Sequence, residues 1–360
     1  MRIRSRLAKA SPKLTEPCPS LPIWLGLLAS LLMMVGGIWD ISWHRTIGRD
    51  TFWSPPHLFI YSGVSMMGLA CVAVVGRAMV AHKTGPRADP TLVELWGLRA
   101  PLGFAIAGFG VLGLLLSAPI DEWWHRMFGV DVTVWSPPHL FAIAAAAAVR
   151  VGLILALVRE MHLAGQLAPP AWLLRSWRGM TVAEWVQLFL FSLLLGNLTF
   201  ALGEYDYLAA SRDPFLYPIL ASLAVPVVLV AGVRSAGRVG SATVIVLLLM
   251  ARRELMSVVL LATDFIPPSP SPLYLVPAVV VDFWFWLVRR TPDSAWRSVA
   301  AGILFAWIFV LTEYMYTGYL TGVFWSISPL VLGEPLACVA GAVSAWAGHH
   351  LFQSSRRMLP

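Results

Sequence analysis

The chain has 360 residues, of which 58% are hydrophobic and only 12% charged, with a mean hydropathy of +0.73. That composition excludes a water-soluble globular domain. The net charge of +7 gathers beside apolar runs, where it marks membrane topology and not a nucleic-acid partner.

In hydrocarbon the backbone must satisfy its own hydrogen bonds, so helices or a closed barrel are the available solutions. Long unbroken apolar runs exclude the alternating pattern of a barrel. The expected fold is therefore an all-α polytopic membrane protein of about ten transmembrane helices in five hairpins.

In chain order, residues 1–20 form a basic tail with Arg2, Arg4, Arg6, Lys9 and Lys13. The tail is too long and polar before its apolar stretch for an ordinary cleaved signal, so the first span is expected to stay in the mature protein. Spans of the required length, about 20 residues, fall near 22–40, 57–80, 99–120, 139–158, 183–203, 215–233, 240–262, 272–288, 298–318 and 327–348. The seventh is the weakest, because Arg252, Arg253 and Glu254 interrupt it.

Alternate loops carry Lys83 with Arg87, Arg159 with Arg175 and Arg178, Arg234 with Arg238, and Arg289 with Arg290 and Arg297, and Arg356 and Arg357 follow the last span. Basic loops stay in the cytoplasm. Both termini are thus expected on the cytoplasmic side of a bacterial-type inner or plasma membrane. The reading divides into the 1–20 tail, a duplicated two-hairpin metal-binding module over 21–165 and a C-terminal six-helix module over 166–360. Cys18, Cys71 and Cys338 are too scattered for a disulfide framework or a thiolate metal site.

The informative feature is an internal repeat. Residues 39–58 read WDISWHRTIGRDTFWSPPHL and residues 120–140 read IDEWWHRMFGVDVTVWSPPHL. In each copy an Asp and a His four residues apart close a span, Asp40 with His44 and Asp121 with His125. One helical turn stacks carboxylate and imidazole on one face. The chain then re-enters at Ser54-Pro55-Pro56-His57 or Ser136-Pro137-Pro138-His139. Serine is a good N-cap and proline suits the first helical turn, so the block starts a helix with its His in that turn.

The hairpin thereby brings three ligands to one point at the outer membrane face. One carboxylate and two imidazoles suit Cu(II), Zn(II) or non-haem Fe(II). Asp50 and Asp131 are placed to orient the imidazoles from behind, and Trp43, Trp53, Trp123, Trp124 and Trp135 are expected to wall the pockets. A second reading, in which Asp, Arg and His merely close each turn through salt bridges, stays open on the sequence alone.

These residues resemble the C subunit of the particulate methane and ammonia monooxygenases, the membrane copper enzymes. There one copper site is Asp, His four later and His thirteen after that, which is the spacing of Asp40, His44 and His57. The neighbouring site uses a carboxamide, His four later and His fourteen after that, as in Asp121, His125 and His139, with Asp121 in place of Asn. The resemblance covers residues 20–160 and implies copper, further membrane subunits or a homo-oligomer, and oxygen-dependent hydroxylation of a small substrate, with Asp121, His125 and His139 catalytic. The added charge of Asp121 makes zinc or iron alternatives at the second site.

Farther along, Glu204, Asp206, Arg252, Arg253, Glu254, Asp282 and Glu313 lie in or beside spans. They are expected to pair internally, or else to form a polar path. The segment Trp325-Ser326-Ile327-Ser328-Pro329-Leu330 faintly echoes the motif without its histidines. Two other functions remain alternatives: metal-ion capture or transport, with Glu313, Asp282 and Glu254 continuing the path, and a structural membrane subunit without catalysis.

Overall fold

In a computed structural model, the described residues are 19–48, 51–84, 92–129, 134–165, 176–204, 213–268, 273–322 and 324–357. They contain ten α-helices: α1 Leu21–Thr46, α2 Pro55–Thr84, α3 Leu102–Phe128, α4 Pro137–Leu163, α5 Val182–Leu198, α6 Leu216–Ala236, α7 Ser241–Ala262, α8 Leu275–Leu287, α9 Ala295–Thr321 and α10 Ile327–Arg357.

Seven of them, α1, α2, α3, α4, α6, α9 and α10, are long and apolar enough to cross a membrane, which makes the chain an integral membrane protein. The expectation of ten full spans is corrected at three places. α5 has 17 residues and α8 has 13, and at about 1.5 Å per residue α8 covers only about 20 Å. α7 is long enough but carries Arg252, Arg253 and Glu254.

The fold is also not purely helical. Strands β1 Leu92–Leu95 and β2 Leu98–Pro101 form an antiparallel hairpin before α3. Its two-residue turn, Trp96-Gly97, has positive φ at both positions, 50° and 79°. That is the geometry whose twist matches a strand pair. The hairpin takes residues 99–101 out of the expected third span.

α1 packs along α2, and α3 along α4, through small residues. A Cβ at Gly63 would stand 2.6 Å from the Ala29 carbonyl, and one at Gly103 would stand 2.5 Å from the Gly152 carbonyl. Such close backbone approach is how helices associate in lipid, where burial of apolar area gives no net drive. α6 lies chiefly against α10 instead of its chain neighbours. Pro226 inside α6 disturbs the ladder there, and the Val227 N–H donates to Ser344 Oγ of α10 at 2.8 Å.

α1 is tied to α4 at the far end, where Glu160 accepts from both the backbone and the hydroxyl of Ser20. One continuous buried cluster runs from Ile23 in α1 to Ala345 in α10.

Two of the intramembrane acids accept hydrogen bonds from neutral donors. Asp282 caps α7, accepting from Ala242 N and from Thr243 N and Oγ1. Glu313 accepts from the Tyr217 hydroxyl and from Leu273 N. These N–H and O–H donors offset part of the cost of burying each carboxylate. Ion pairs do occur elsewhere, a buried one between Arg238 and Glu184 at 3.0 Å and one between buried Arg234 and exposed Asp293 at 2.7 Å. The side chain of Glu204, and Asp206 as a whole, lie outside the described residues.

Candidate metal centre

Both motif copies build the same frame. α1 stays helical to Thr46 and α3 to Phe128, beyond the expected ends near 40 and 120, so His44 and His125 belong to the last turns. Each lies one turn from its aspartate: His44 Nε2 is 3.9 Å from Asp40 Oδ2, and His125 Nε2 is 3.7 Å from Asp121 Oδ1.

α2 and α4 begin at the Ser-Pro-Pro-His blocks. The Ser54 carbonyl accepts from Leu58 N and the Ser136 carbonyl from Leu140 N. The serine hydroxyls do not cap as expected, since Ser54 Oγ and Ser136 Oγ are buried without a hydrogen-bond partner. A capping oxygen accepts from the second or third N–H of the helix. Pro56 and Pro138 occupy the second position and have no N–H to give.

Each loop returns its histidine to the aspartate. His57 Nε2 lies 3.2 Å from Asp40 Oδ1, and His139 Nε2 lies 3.3 Å from Asp121 Oδ1. Gly36, one turn before Asp40, lets this happen in the first copy, because it sits against the Pro56 carbonyl and the Ile60 amide. Buried Ser117 holds the corresponding place before Asp121.

The two clusters differ in how they divide the carboxylate. Asp40 meets His44 with one oxygen and His57 with the other. Asp121 offers the same oxygen to both His125 and His139, whose rings stand 6.2 Å apart at 72°. Among the described residues, Asp121, His125 and His139 are the group whose three ligand atoms all lie within 4.8 Å of one another. Ligands on a common ion at bonds of roughly 2.0–2.2 Å stand about 3–3.5 Å apart. The Asp121 contacts are close to that spacing already.

The tautomer of His57 follows from its other nitrogen. Nδ1 lies 3.0 Å from the Thr51 carbonyl, and a carbonyl only accepts, so Nδ1 carries the proton. Nε2 is then the ring atom turned toward Asp40 and left for a metal, which is the orientation metal-binding imidazoles adopt. The Thr51 carbonyl is thus one support behind the His57 ring. Asp50 and Asp131 lie outside the described residues, as does Thr133, the counterpart of Thr51.

The motif arginines also make contacts away from Asp40 and Asp121: Arg45 donates to the Pro267 carbonyl and Arg126 pairs with Glu122. Two of the tryptophans expected to wall the pockets stand largely exposed. Trp53 is 69% exposed and Trp123 54%, and Trp124 packs on Phe128 of its own helix. Trp135 packs against the core, and Trp43 stacks on Phe265 at 5.7 Å.

Phe265 belongs to a segment after α7 that sequence reasoning missed. Ser42 Oγ donates to the Ile266 carbonyl, and Ile266 N donates to Thr46 Oγ1. This docks the segment on the last turns of α1, beside the first cluster. Its signal in the sequence is the Pro267-Pro268 pair, which favours extended backbone but names no partner. Against models of protein families, curated proteins and solved structures, the chain finds no match.

Proposed function

We propose that this chain is a membrane metalloprotein in which Asp121, His125 and His139 hold a copper ion, with Asp40, His44 and His57 forming a more open companion site. The carrying observation is the single Asp121 oxygen 3.3 Å from one imidazole and 3.7 Å from another. The donors fit copper in its divalent state, as they would fit zinc or iron, and no thiolate is needed.

The reaction we infer is oxygen-dependent hydroxylation of a small substrate, by this chain or by a complex of which it is a subunit. Copper in the site would supply the electron-transfer chemistry with dioxygen. The chain itself orients two imidazoles on a fixed carboxylate and keeps the ligands partly exposed, Asp121 by 25% and His139 by 33%. That leaves coordination positions for water or substrate. The spacing shared with the particulate monooxygenases supports this reading, and the basic loops support both termini in the cytoplasm with the clusters at the outer face.

Transport finds less support, because Glu313 and Asp282 already accept two or more hydrogen bonds each and are not offered to a passing ion.

The test is metal content of the full chain in lipid nanodiscs after exposure to copper, zinc or iron and removal of free ion. Wild type is expected to retain copper, and His125→Ala and His139→Ala each to lose the tightly held equivalent. Equal retention in wild type and both variants sinks the site. Retention of zinc or iron in preference to copper sinks the copper assignment.

A further inference from the structure

A cavity of about 200 Å³ opens among α1, α4, α5 and α7. Most of its wall is apolar, including Met33, Ile38, Leu114, Ile143, Leu193 and Phe200. Three arginines, Arg150, Arg252 and Arg253, interrupt this hydrocarbon wall.

Arg150 is 3% exposed. Its Nη1 donates to the Ala146 carbonyl and to Asn197 Oδ1, both at 2.9 Å, while its buried Nε has no hydrogen-bond partner. Arg252 donates through Nη2 to the carbonyl and hydroxyl of Ser192 at 2.7 and 3.2 Å, lies over Phe189, and also has a buried Nε without a partner. Arg150 lies within the electrostatic reach of Arg252.

Neither arginine meets a carboxylate among the described residues, in contrast to Arg234 with Asp293 and Arg238 with Glu184. Two like charges in an apolar interior, held only by neutral acceptors, are costly. An anion between them would offset that cost.

We infer that this cavity binds a small carboxylate with a hydrocarbon body. Guanidinium and carboxylate match in planar, two-pronged geometry. The apolar wall selects a hydrocarbon body over a bare inorganic anion. A cavity of ~150 Å³ accepts benzene, so this one suits an acid of about six to eight carbons. Ile60 and Ala142 on its wall follow His57 and His139 by three residues, which is about 4.5 Å along each helix. The cavity therefore begins one turn inward from both clusters. It stands on the arginines and not on any metal.

The full chain in zwitterionic nanodiscs is titrated with hexanoate, with hexanol as the same body without charge, and with phosphate as charge without body. Thermal unfolding and calorimetry are the readouts. Hexanoate is expected to bind saturably and raise Tm by several degrees, with hexanol and phosphate inert. Arg150→Gln and Arg252→Gln are each expected to weaken hexanoate at least tenfold. Ile143→Phe, which keeps both arginines and fills the cavity, is expected to abolish binding. Oleate placed in the bilayer separates the sources of the carboxylate: competition with hexanoate assigns the membrane, and none assigns solution. The inference is overturned if hexanol or phosphate stabilises as much as hexanoate. It is equally overturned if hexanoate shows no saturable binding, or binds unchanged when both arginines are replaced or the cavity is filled.

Discussion

Asp121 Oδ1 stands 3.3 Å from His139 Nε2 across the gap between α3 and α4, and the same oxygen is 3.7 Å from His125 Nε2. If this carboxylate and its two imidazoles hold the proposed copper ion, the three members should fail differently. His139→Ala removes a ligand and is expected to weaken copper at least about 100-fold, more than the 10–100-fold typical of losing a supporting partner. Asp121→Asn keeps the shape and loses the charge, and about tenfold weaker binding, about 1.4 kcal/mol, is the expected result. Competition titration against a chelator of known affinity measures both, and equal effects would count against a ligand hierarchy.

Gly36 sets the first cluster from one turn away. A Cβ there would stand 2.8 Å from the Pro56 carbonyl oxygen and 2.9 Å from the Ile60 nitrogen, both backbone atoms that cannot swing aside. Gly36→Ala is expected to cost about 1–3 kcal/mol and to spoil metal binding by Asp40, His44 and His57, leaving the second cluster intact. At neighbouring Gly37 a Cβ would meet only Phe200 at 3.5 Å. Gly37→Ala should therefore behave as wild type in unfolding and metal titration.

Phe265 stacks on Trp43 and meets Trp39 edge-on at 6.1 Å. Aromatic contacts of this kind contribute about 0.5–1.5 kcal/mol each. Phe265→Ala is expected to cost about 1–3 kcal/mol, to alter near-ultraviolet dichroism from the tryptophans, and to disturb the first cluster alone. Altered metal binding at the second cluster would show that the segment acts more widely than its contacts indicate.

At the Arg234 end of α6, burial pushes the Asp293 carboxyl up, but the paired hydrogen bonds and charge of Arg234 outweigh it, assisted by His349 and Arg297, and hold the group below the usual carboxylate range. A depressed carboxyl stabilises the fold fully above its unfolded value of about 3.9 and loses that contribution as pH falls through the lower folded value. Thermal unfolding between pH 6 and pH 2 should show this acid-dependent loss in wild type and a smaller one in Asp293→Asn. Identical slopes would remove Asp293 from the account.

The helix starts at Pro55 and Pro137 and the helical facing of Asp40 with His44 were legible in the sequence, because both are local consequences of proline and of one-turn spacing. The serine caps were not, since a hydroxyl's partner depends on whether the next N–H groups exist. The short α8 also escaped, because an apolar run reports hydrophobicity over a window and not where the helix begins and ends. The β-hairpin at Trp96-Gly97 was missed for a related reason: it adjoins an apolar run that reads as helix.

By itself the sequence determined the membrane setting, the ten helical segments and the presence of two Asp, His and His sets, since composition and periodicity act within a window of the chain. The tertiary structure alone decided which set closes, because one shared oxygen at Asp121 and two divided oxygens at Asp40 depend on how closely each helix pair approaches. It also decided that Arg150 and Arg252, a hundred residues apart, share a cavity with no acid among its described lining residues. That meeting is a property of packing between distant helices, and no local pattern carries it.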